Sequence, residues 1–225
     1  MKKTIAVIVF ALTALVLASG VSASTAFPLD PAAVNTLDRT FMCPYDKTMD
    51  DVSLAFCVAA LASPAVLVSE SPAEYPTIAV MYAESLAISY GTKELFKYLI
   101  SRERPYMYYA DTPMDMVESD EHNESFFSGH TIAAFTGAAF TSYVFAKYNP
   151  DSGWKIPVTV ASFALASATA AFRVASGNHF LTDVLAGAVI GTAIGIAVPA
   201  LHTLFADNDT SVSVSPFGLV FSRSY

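Results

Sequence analysis

Three short segments of this chain combine charged and nucleophilic residues at the edge of apolar sequence. The last of them begins at Arg173 and contains His179 and Asp183. If a helix begins here, His179 and Asp183 lie four residues apart and share one face. A carboxylate in that position accepts a hydrogen bond from one ring nitrogen, which makes the other nitrogen the better nucleophile. Arg173 adds a fork of donors suited to a phosphate or a carboxylate, so the segment predicts chemistry on an anion.

Two earlier segments carry groups of the same kind. Lys97 is followed, after six intervening residues, by Arg104 and a proline, and the segment Ser128–His130 has the sequence Ser-Gly-His. The second of these opens an apolar run, so we expect a helix N-terminus there. Serine hydroxyl and backbone N–H groups at a helix N-terminus bind anions. All three segments therefore predict binding of a phosphate-like group.

The order Lys-x6-Arg-Pro, then Ser-Gly-His, then Arg-x5-His-x3-Asp resembles the type 2 phosphatidic acid phosphatase superfamily. That superfamily also contains the bacterial acid phosphatases and the vanadium haloperoxidases. The resemblance covers the region from Lys97 to Gly187, and its last part is most similar to the membrane lipid phosphatases. Three such motifs in the right order form a specific signal. Phe127 stands where the family usually has proline, and Phe172 stands where it often has serine.

The resemblance implies a role for each motif residue in a metal-independent reaction without a cofactor. His179 is expected to attack phosphorus and form a phosphohistidine, with Asp183 orienting its ring. His130 is expected to protonate the departing alkoxide and then to activate water. The residues expected to hold the phosphate are Lys97, Arg104, Ser128, Gly129 and Arg173. The sequence contains no Cys/His cluster or carboxylate pair at metal-ligand spacing.

The composition indicates a membrane protein of the all-α class. Hydrophobic residues make up 54% of the 225 residues and charged residues 14%, against about 25% charged residues in ordinary soluble domains. The net charge of −8 argues against a nucleic-acid partner. We therefore expect a multi-span helical bundle whose partners are the membrane and a phosphorylated lipid. The alternative is a soluble, all-helical periplasmic enzyme.

The chain divides into four predicted parts. Residues 1–23 have a positive start, an apolar run and small residues before position 24, as in a cleaved export signal; an uncleaved first membrane helix is the alternative. Residues 24–51 form a polar lead-in, 52–206 the helical phosphatase domain, and 207–225 a tail that predicts a short β-hairpin. The predicted apolar segments are Val52–Ser69, Tyr75–Gly91, Thr131–Ala146, Ile156–Phe172 and Val184–Phe205.

These segments also predict a topology. If each spans the membrane, Lys97, His130 and Arg173 all fall at the exported face, while Lys147 and Lys155 fall in an inside loop. The expected location is the bacterial inner membrane, with the site facing the periplasm or the outside. Cys43 and Cys57 could form a disulfide in an exported chain, but free thiols are favoured because Cys57 lies in an apolar segment.

The predicted function is hydrolysis of a phosphate monoester or diphosphate of a membrane lipid. A soluble acid phosphatase of broad specificity and a vanadate-dependent haloperoxidase remain alternatives, since both would use the same residues. A protein that only binds a phosphorylated lipid is a third, although such a protein would be expected to lack either the nucleophile or the acid. The lipid itself is not determined by the sequence.

Overall fold

A computed structural model describes residues 27–69, 72–206, 210–215 and 218–223. The predicted export signal lies outside these ranges. The helices and strands are α1 (Thr36–Phe41), α2 (Lys47–Leu61), α3 (Tyr75–Leu99), α4 (Met114–Val117), α5 (Gly129–Tyr148), α6 (Lys155–Ala175), α7 (Leu181–Ala206), β1 (Thr210–Ser215) and β2 (Gly218–Arg223). Short 3-10 segments occur at Pro31–Ala33, Ser63–Ser69, Pro72–Glu74 and Pro105–Tyr108.

Helix α5 is the centre of the bundle. Eleven of its 20 residues are buried, and it contacts α2, α3 and α6. Small side chains build the interface that it shares with α2 and α6: Cys57, Ala60, Ala134, Ala138 and Ala166. Small residues let helix backbones approach closely, as in membrane helix bundles.

Helix α7 packs against α5 through glycines. A Cβ atom on Gly191 would lie 2.4 Å from the carbonyl oxygen of Ile132, and one on Gly195 would lie 2.5 Å from that of Thr136. Both glycines lie on one face of α7 because they are four residues apart. This close contact positions the first turn of α7, which carries Asp183, beside the first turn of α5.

The five predicted apolar segments all correspond to helices, so the all-α class is confirmed. Within the described residues, three helical stretches are long and apolar enough to cross a membrane: Lys47–Leu67, Lys155–Ala175 and Leu181–Leu204. Helix α3 extends eight residues beyond the predicted end at Gly91 and thereby includes Lys97. Helix α5 contains several threonines and tyrosines, which lower its hydropathy, but it lies in the middle of the bundle.

Two further predictions can be compared with the structure. Strands β1 and β2 pair in antiparallel register from Thr210 opposite Arg223 to Ser215 opposite Gly218, which confirms the C-terminal hairpin. Cys43 and Cys57 are both free thiols, as favoured by the sequence. The lead-in differs from the predicted boundary at residue 51, because α2 already begins at Lys47, where Asp46 accepts a hydrogen bond from the N–H of Met49 at 3.0 Å.

Candidate active site

One cavity of about 260 Å³ is lined by a residue from each of the three motifs. Arg104 follows α3, His130 lies in the first turn of α5, and Arg173 lies in the last turn of α6. Asp50 of α2 and Asn178 also line it. The helix ends therefore bring together groups that are far apart in the sequence.

Both arginines of the cavity are buried and paired with carboxylates. Arg104 is 5% exposed and donates to the side chain of Glu121 at 3.0 Å and to its carbonyl oxygen at 2.9 Å. Arg173 is 4% exposed and forms an ion pair with Asp50. Its Nε is buried and has no hydrogen-bond partner in the part of the chain that the structure describes. Buried donors normally have a hydrogen-bond partner. We therefore expect this Nε to donate to an oxygen of a bound ligand.

Among the described residues, those that line this cavity do not include the other predicted site residues, which are Lys97, Ser128, Gly129, His179 and Asp183. The Nζ of Lys97 pairs with Glu124 at 3.2 Å. Ser128 is fully buried. It caps α5, because its Oγ accepts hydrogen bonds from the hydroxyl of Thr131 at 2.9 Å and from the backbone N–H of Thr131 at 3.4 Å. The backbone N–H of Ser128 donates to the carbonyl oxygen of Asp183 at 3.3 Å, which joins the second and third motifs.

The loop between α6 and α7 holds the predicted nucleophile. Gly177 has a φ of +69°, which favours glycine, and a Cβ atom there would lie 2.5 Å from the carbonyl oxygen of Pro44. The turn that it makes lets the N–H of His179 donate to the carbonyl oxygen of Arg173 at 3.3 Å. His179 therefore lies against the end of α6 and before the start of α7, with 3% of its side chain exposed.

The hydrogen bond of His179 determines which ring nitrogen is nucleophilic. Its Nδ1 lies 2.8 Å from the carbonyl oxygen of Ser125. A carbonyl oxygen only accepts, so Nδ1 carries the proton and Nε2 of the neutral ring keeps its lone pair. Burial, and then the charges of Arg173 and Arg104, hold the pKa of His179 well below its usual value. The ring is therefore neutral at neutral pH, as a nucleophile requires.

The structure corrects the predicted contact between Asp183 and His179. The Oδ2 of Asp183 lies 3.9 Å from Nδ1, beyond hydrogen-bond distance. It instead accepts hydrogen bonds from the hydroxyl of Ser125 at 2.6 Å and from the N–H of Phe180 at 2.9 Å. The reason is that α7 begins at Leu181, after His179, so the two residues do not stand on one helical face. Asp183 contacts His179 indirectly, through Ser125.

Several residues of this network were not identified from the sequence. The Nη1 of Arg102 donates a hydrogen bond to Asp183. Its Nη2 donates to Asp38 at 2.7 Å. Arg102 stands two residues before Arg104, so the motif itself contained a signal for it. Ser125 stands three residues before the Ser-Gly-His motif at Ser128–His130. Asp38 and Asp50 lie in the polar lead-in, where no motif marks them.

Among the described residues, no group of three or more His, Cys, Asp or Glu side chains is arranged to hold a metal ion. The positive groups around the cavity are the side chains of Arg104 and Arg173. The arginines and His130 form a site that suits a multiply charged anion, with carboxylates that such an anion would displace.

Two solved structures are similar to this chain. One is the transmembrane PAP2 type phosphatidylglycerolphosphate phosphatase from Bacillus subtilis, with 22% identity, 71% of this chain and 88% of that chain covered, and a TM-score of 0.42. The other is Aquifex aeolicus LpxE, with 20% identity, 73% and 93% covered, and a TM-score of 0.46.

The family match extends over most of the helical bundle. The PAP2 superfamily model matches residues 78–206, which is more than half of the 225 residues. The match contains all three motifs and the helices that position them, from within α3 to the end of α7. On this match, and with the motif residues gathered at one end of a helical bundle, the chain belongs to the PAP2 superfamily.

Proposed function

We propose that this protein is a metal-independent phosphatase that removes a phosphate or diphosphate from a membrane lipid through a phosphohistidine intermediate. The observation that carries the proposal is that Arg104, His130 and Arg173, one from each motif, line the same cavity. Phosphoryl transfer is catalysed mainly by positioning and by positive charge around the equatorial oxygens. The two buried guanidinium groups supply that charge, and the unpaired Nε of Arg173 supplies a further donor.

In the first step, Nε2 of His179 forms a bond to phosphorus while the bond from phosphorus to the ester oxygen breaks. The proton stays on Nδ1 and continues to be donated to the carbonyl oxygen of Ser125, so this hydrogen bond stabilises the charge that develops on the ring. His130 donates a proton to the departing alkoxide. In the second step, neutral His130 takes a proton from water, the water oxygen attacks phosphorus, and the bond from phosphorus to Nε2 breaks.

The ligand-free site does not keep His130 protonated. Burial, and then the charge of Arg173, lower the pKa of His130 to about 4. A bound phosphate dianion would neutralise the neighbouring arginines and favour the protonated ring, so the acid would form together with the substrate complex. The carboxylates of Asp50 and Glu121 leave the arginines at the same time, since a phosphate takes the same donors.

A lipid substrate is supported by the hydropathy of the helices. Three helical stretches of the described part of the chain could cross a membrane, and the cavity lies where α5 begins and α6 ends. A phosphate at the headgroup level of a membrane would meet a site at the ends of spanning helices. The location proposed is the bacterial inner membrane, with this end of the bundle facing the periplasm or the outside.

The test is phosphate release from phosphatidic acid in mixed micelles, with a chelator present and no metal added. The wild-type protein is expected to release phosphate, and His179→Ala is expected to release none. The matched control is His122→Ala, because His122 pairs with Glu103 in the loop before α5 and does not line the cavity. Activity that disappears with the chelator would contradict metal independence. Activity that survives in a folded His179→Ala protein would remove His179 as the nucleophile.

Two further arms of the experiment separate the alternatives. A haloperoxidase would oxidise halide when vanadate and peroxide are added, whereas a phosphatase would be inhibited by vanadate. A soluble broad-specificity phosphatase would hydrolyse small phosphate esters as fast as lipid phosphates. A panel of lipid monophosphates and diphosphates then identifies the substrate class.

A further inference from the structure

A fully buried carboxylate in the polar lead-in lies close to the candidate site. Asp38 is part of α1, its side chain is 0% exposed, and it precedes the region that matches the PAP2 superfamily. A buried carboxylate is costly unless donors surround it. Asp38 therefore requires an explanation that the family match does not supply.

Four hydrogen bonds surround this carboxylate. Its Oδ1 accepts the N–H of Thr182 at 2.9 Å, and its Oδ2 accepts the hydroxyl of Thr182 at 2.7 Å, Arg102 at 2.7 Å and the amide of Asn35 at 2.6 Å. Burial alone raises the pKa of Asp38, but the hydrogen bonds from Thr182, Asn35 and Arg102 outweigh burial and hold the pKa below its usual value. The group is ionised at neutral pH.

The contacts continue from Asp38 to the nucleophile. Arg102 donates to Asp38, to Asp183 and, at 2.8 Å, to the hydroxyl of Thr182. Asp183 accepts from the hydroxyl of Ser125, and the carbonyl oxygen of Ser125 accepts from His179. The guanidinium of Arg102 also lies over the ring of Phe180, 4.3 Å from its centroid. Each group in the chain is thus held by at least two contacts.

The charges of the groups in this series of contacts favour the reaction at His179. Two carboxylates, Asp38 and Asp183, share one guanidinium, so the group as a whole carries a net negative charge. When Nε2 attacks phosphorus, the ring of His179 becomes positive. A fixed negative charge close to the ring stabilises that state more than the neutral ground state, which is the condition for lowering a barrier.

We infer that Asp38 is a positioning residue that holds Arg102 and the first turn of α7, and thereby keeps the Ser125 carbonyl oxygen on His179. The inference rests on the proposed phosphatase function. Asp38 is a carboxylate whose oxygens accept from Asn35, Arg102 and Thr182, so it acts on the reaction through these residues and not by binding the phosphate. Its loss should therefore lower kcat and leave KM unchanged.

The experiment compares Asp38→Asn, Arg102→Gln and the double variant with the wild-type protein. Asp38→Asn keeps the shape of the side chain and removes its charge. We expect kcat, and the burst rate of nitrophenol from p-nitrophenyl phosphate, to fall about 10- to 100-fold, as for a displaced catalytic group. The kcat of the double variant should fall no further than that of the more affected single variant, because both residues act through the same series of contacts.

The control is Asp30→Asn, which changes an exposed carboxylate of the same lead-in. Asp30 accepts a hydrogen bond from the N–H of Ala32 at 2.8 Å, which an asparagine can also accept. This variant should keep the wild-type kcat. Thermal unfolding in detergent confirms that each variant is folded. If Asp38→Asn is not recovered as folded protein, Arg102→Gln alone tests the same network.

The outcomes separate the inference from the function on which it rests. A wild-type protein without phosphatase activity would overturn the proposed function. A wild-type protein that is active, together with an Asp38→Asn protein of unchanged kcat, would overturn only the role of Asp38. A rise in KM at constant kcat, or losses that multiply in the double variant, would also overturn it.

Discussion

At the scale of single residues, the site depends on a division between two histidines. His179 is buried, neutral and bonded through Nδ1 to a carbonyl oxygen, so its free nitrogen suits attack on phosphorus. His130 lines the cavity beside two arginines and suits proton transfer to the leaving oxygen. The two histidines thus have different proposed roles because their surroundings differ.

This division predicts different effects of His130→Ala on different substrates. A glycerol alkoxide needs a proton as its bond to phosphorus breaks, whereas nitrophenolate does not. Cleavage of a lipid phosphate should therefore fall by about 100- to 10,000-fold, the usual contribution of general acid–base catalysis. The nitrophenol burst from p-nitrophenyl phosphate should fall much less. The burst is measured before the steady state, since His130 is also needed later to activate water.

His179→Ala provides the comparison for this measurement. It should abolish both reactions, because no phosphohistidine can form. Equal losses of the burst and of lipid-phosphate cleavage in His130→Ala would contradict its role as the general acid.

At the scale of elements, the position of Asp183 depends on how closely α7 approaches α5. Gly187, Gly191 and Gly195 all face α5, and their missing side chains let the helix backbones touch. The first turn of α7 then meets Ser128 and Ser125. Close helix packing is therefore part of the site, although none of these glycines lies in the cavity.

Two Gly→Ala variants test this packing. Gly191→Ala places a Cβ atom 2.4 Å from the carbonyl oxygen of Ile132, so the helices must move apart. We expect a loss of about 1–3 kcal/mol in the free energy of unfolding, as for overpacked cores, and a lower kcat. The matched control is Gly91→Ala in α3, where nothing lies within 4 Å of the added atom. It should gain about 0.5–1 kcal/mol, because alanine favours helix.

Thermal unfolding in detergent and phosphate release check both variants. Equal unfolding temperatures for Gly191→Ala and Gly91→Ala would show that the contact of α7 with α5 does not need glycine.

At the scale of the whole bundle, the cavity and the loop at residues 149–154 lie at opposite ends. His130 begins α5 and Arg173 ends α6, whereas the loop joins the other ends of these two helices. A 20-residue helix is about 30 Å long, comparable to the hydrocarbon thickness of a membrane. Lys147 and Lys155 flank the loop, and this positive charge is the basis for the prediction that the loop lies on the inside.

The orientation can be measured by thiol labelling in intact cells, after Cys43 and Cys57 have been replaced. Asp111→Cys lies at an exposed position of the loop that follows Arg104, and Asp151→Cys lies at an exposed position of the opposite loop. An impermeant reagent should label the first and not the second. The reverse pattern would contradict the proposed orientation, and labelling of both would favour a soluble periplasmic protein.

The sequence alone determined the helical class and the approximate positions of the five long helices, and it pointed to Arg104, His130 and Arg173, which line the cavity. It could do so because these features depend on local patterns, such as apolar runs and the short spacing within each motif. Lys97, Ser128 and Gly129 were predicted in the same way, and their contact with phosphate remains a prediction.

Only the tertiary structure decided how the motifs are connected. The bond of Asp38 to Arg102 joins residues 64 positions apart, and that to Thr182 joins residues 144 positions apart. The bond of His179 to Ser125 spans 54 positions. No local pattern in the sequence specifies such pairs, because they depend on which helix ends meet in the folded bundle. The start of α7 after His179 likewise placed Ser125, and not Asp183, on the imidazole ring.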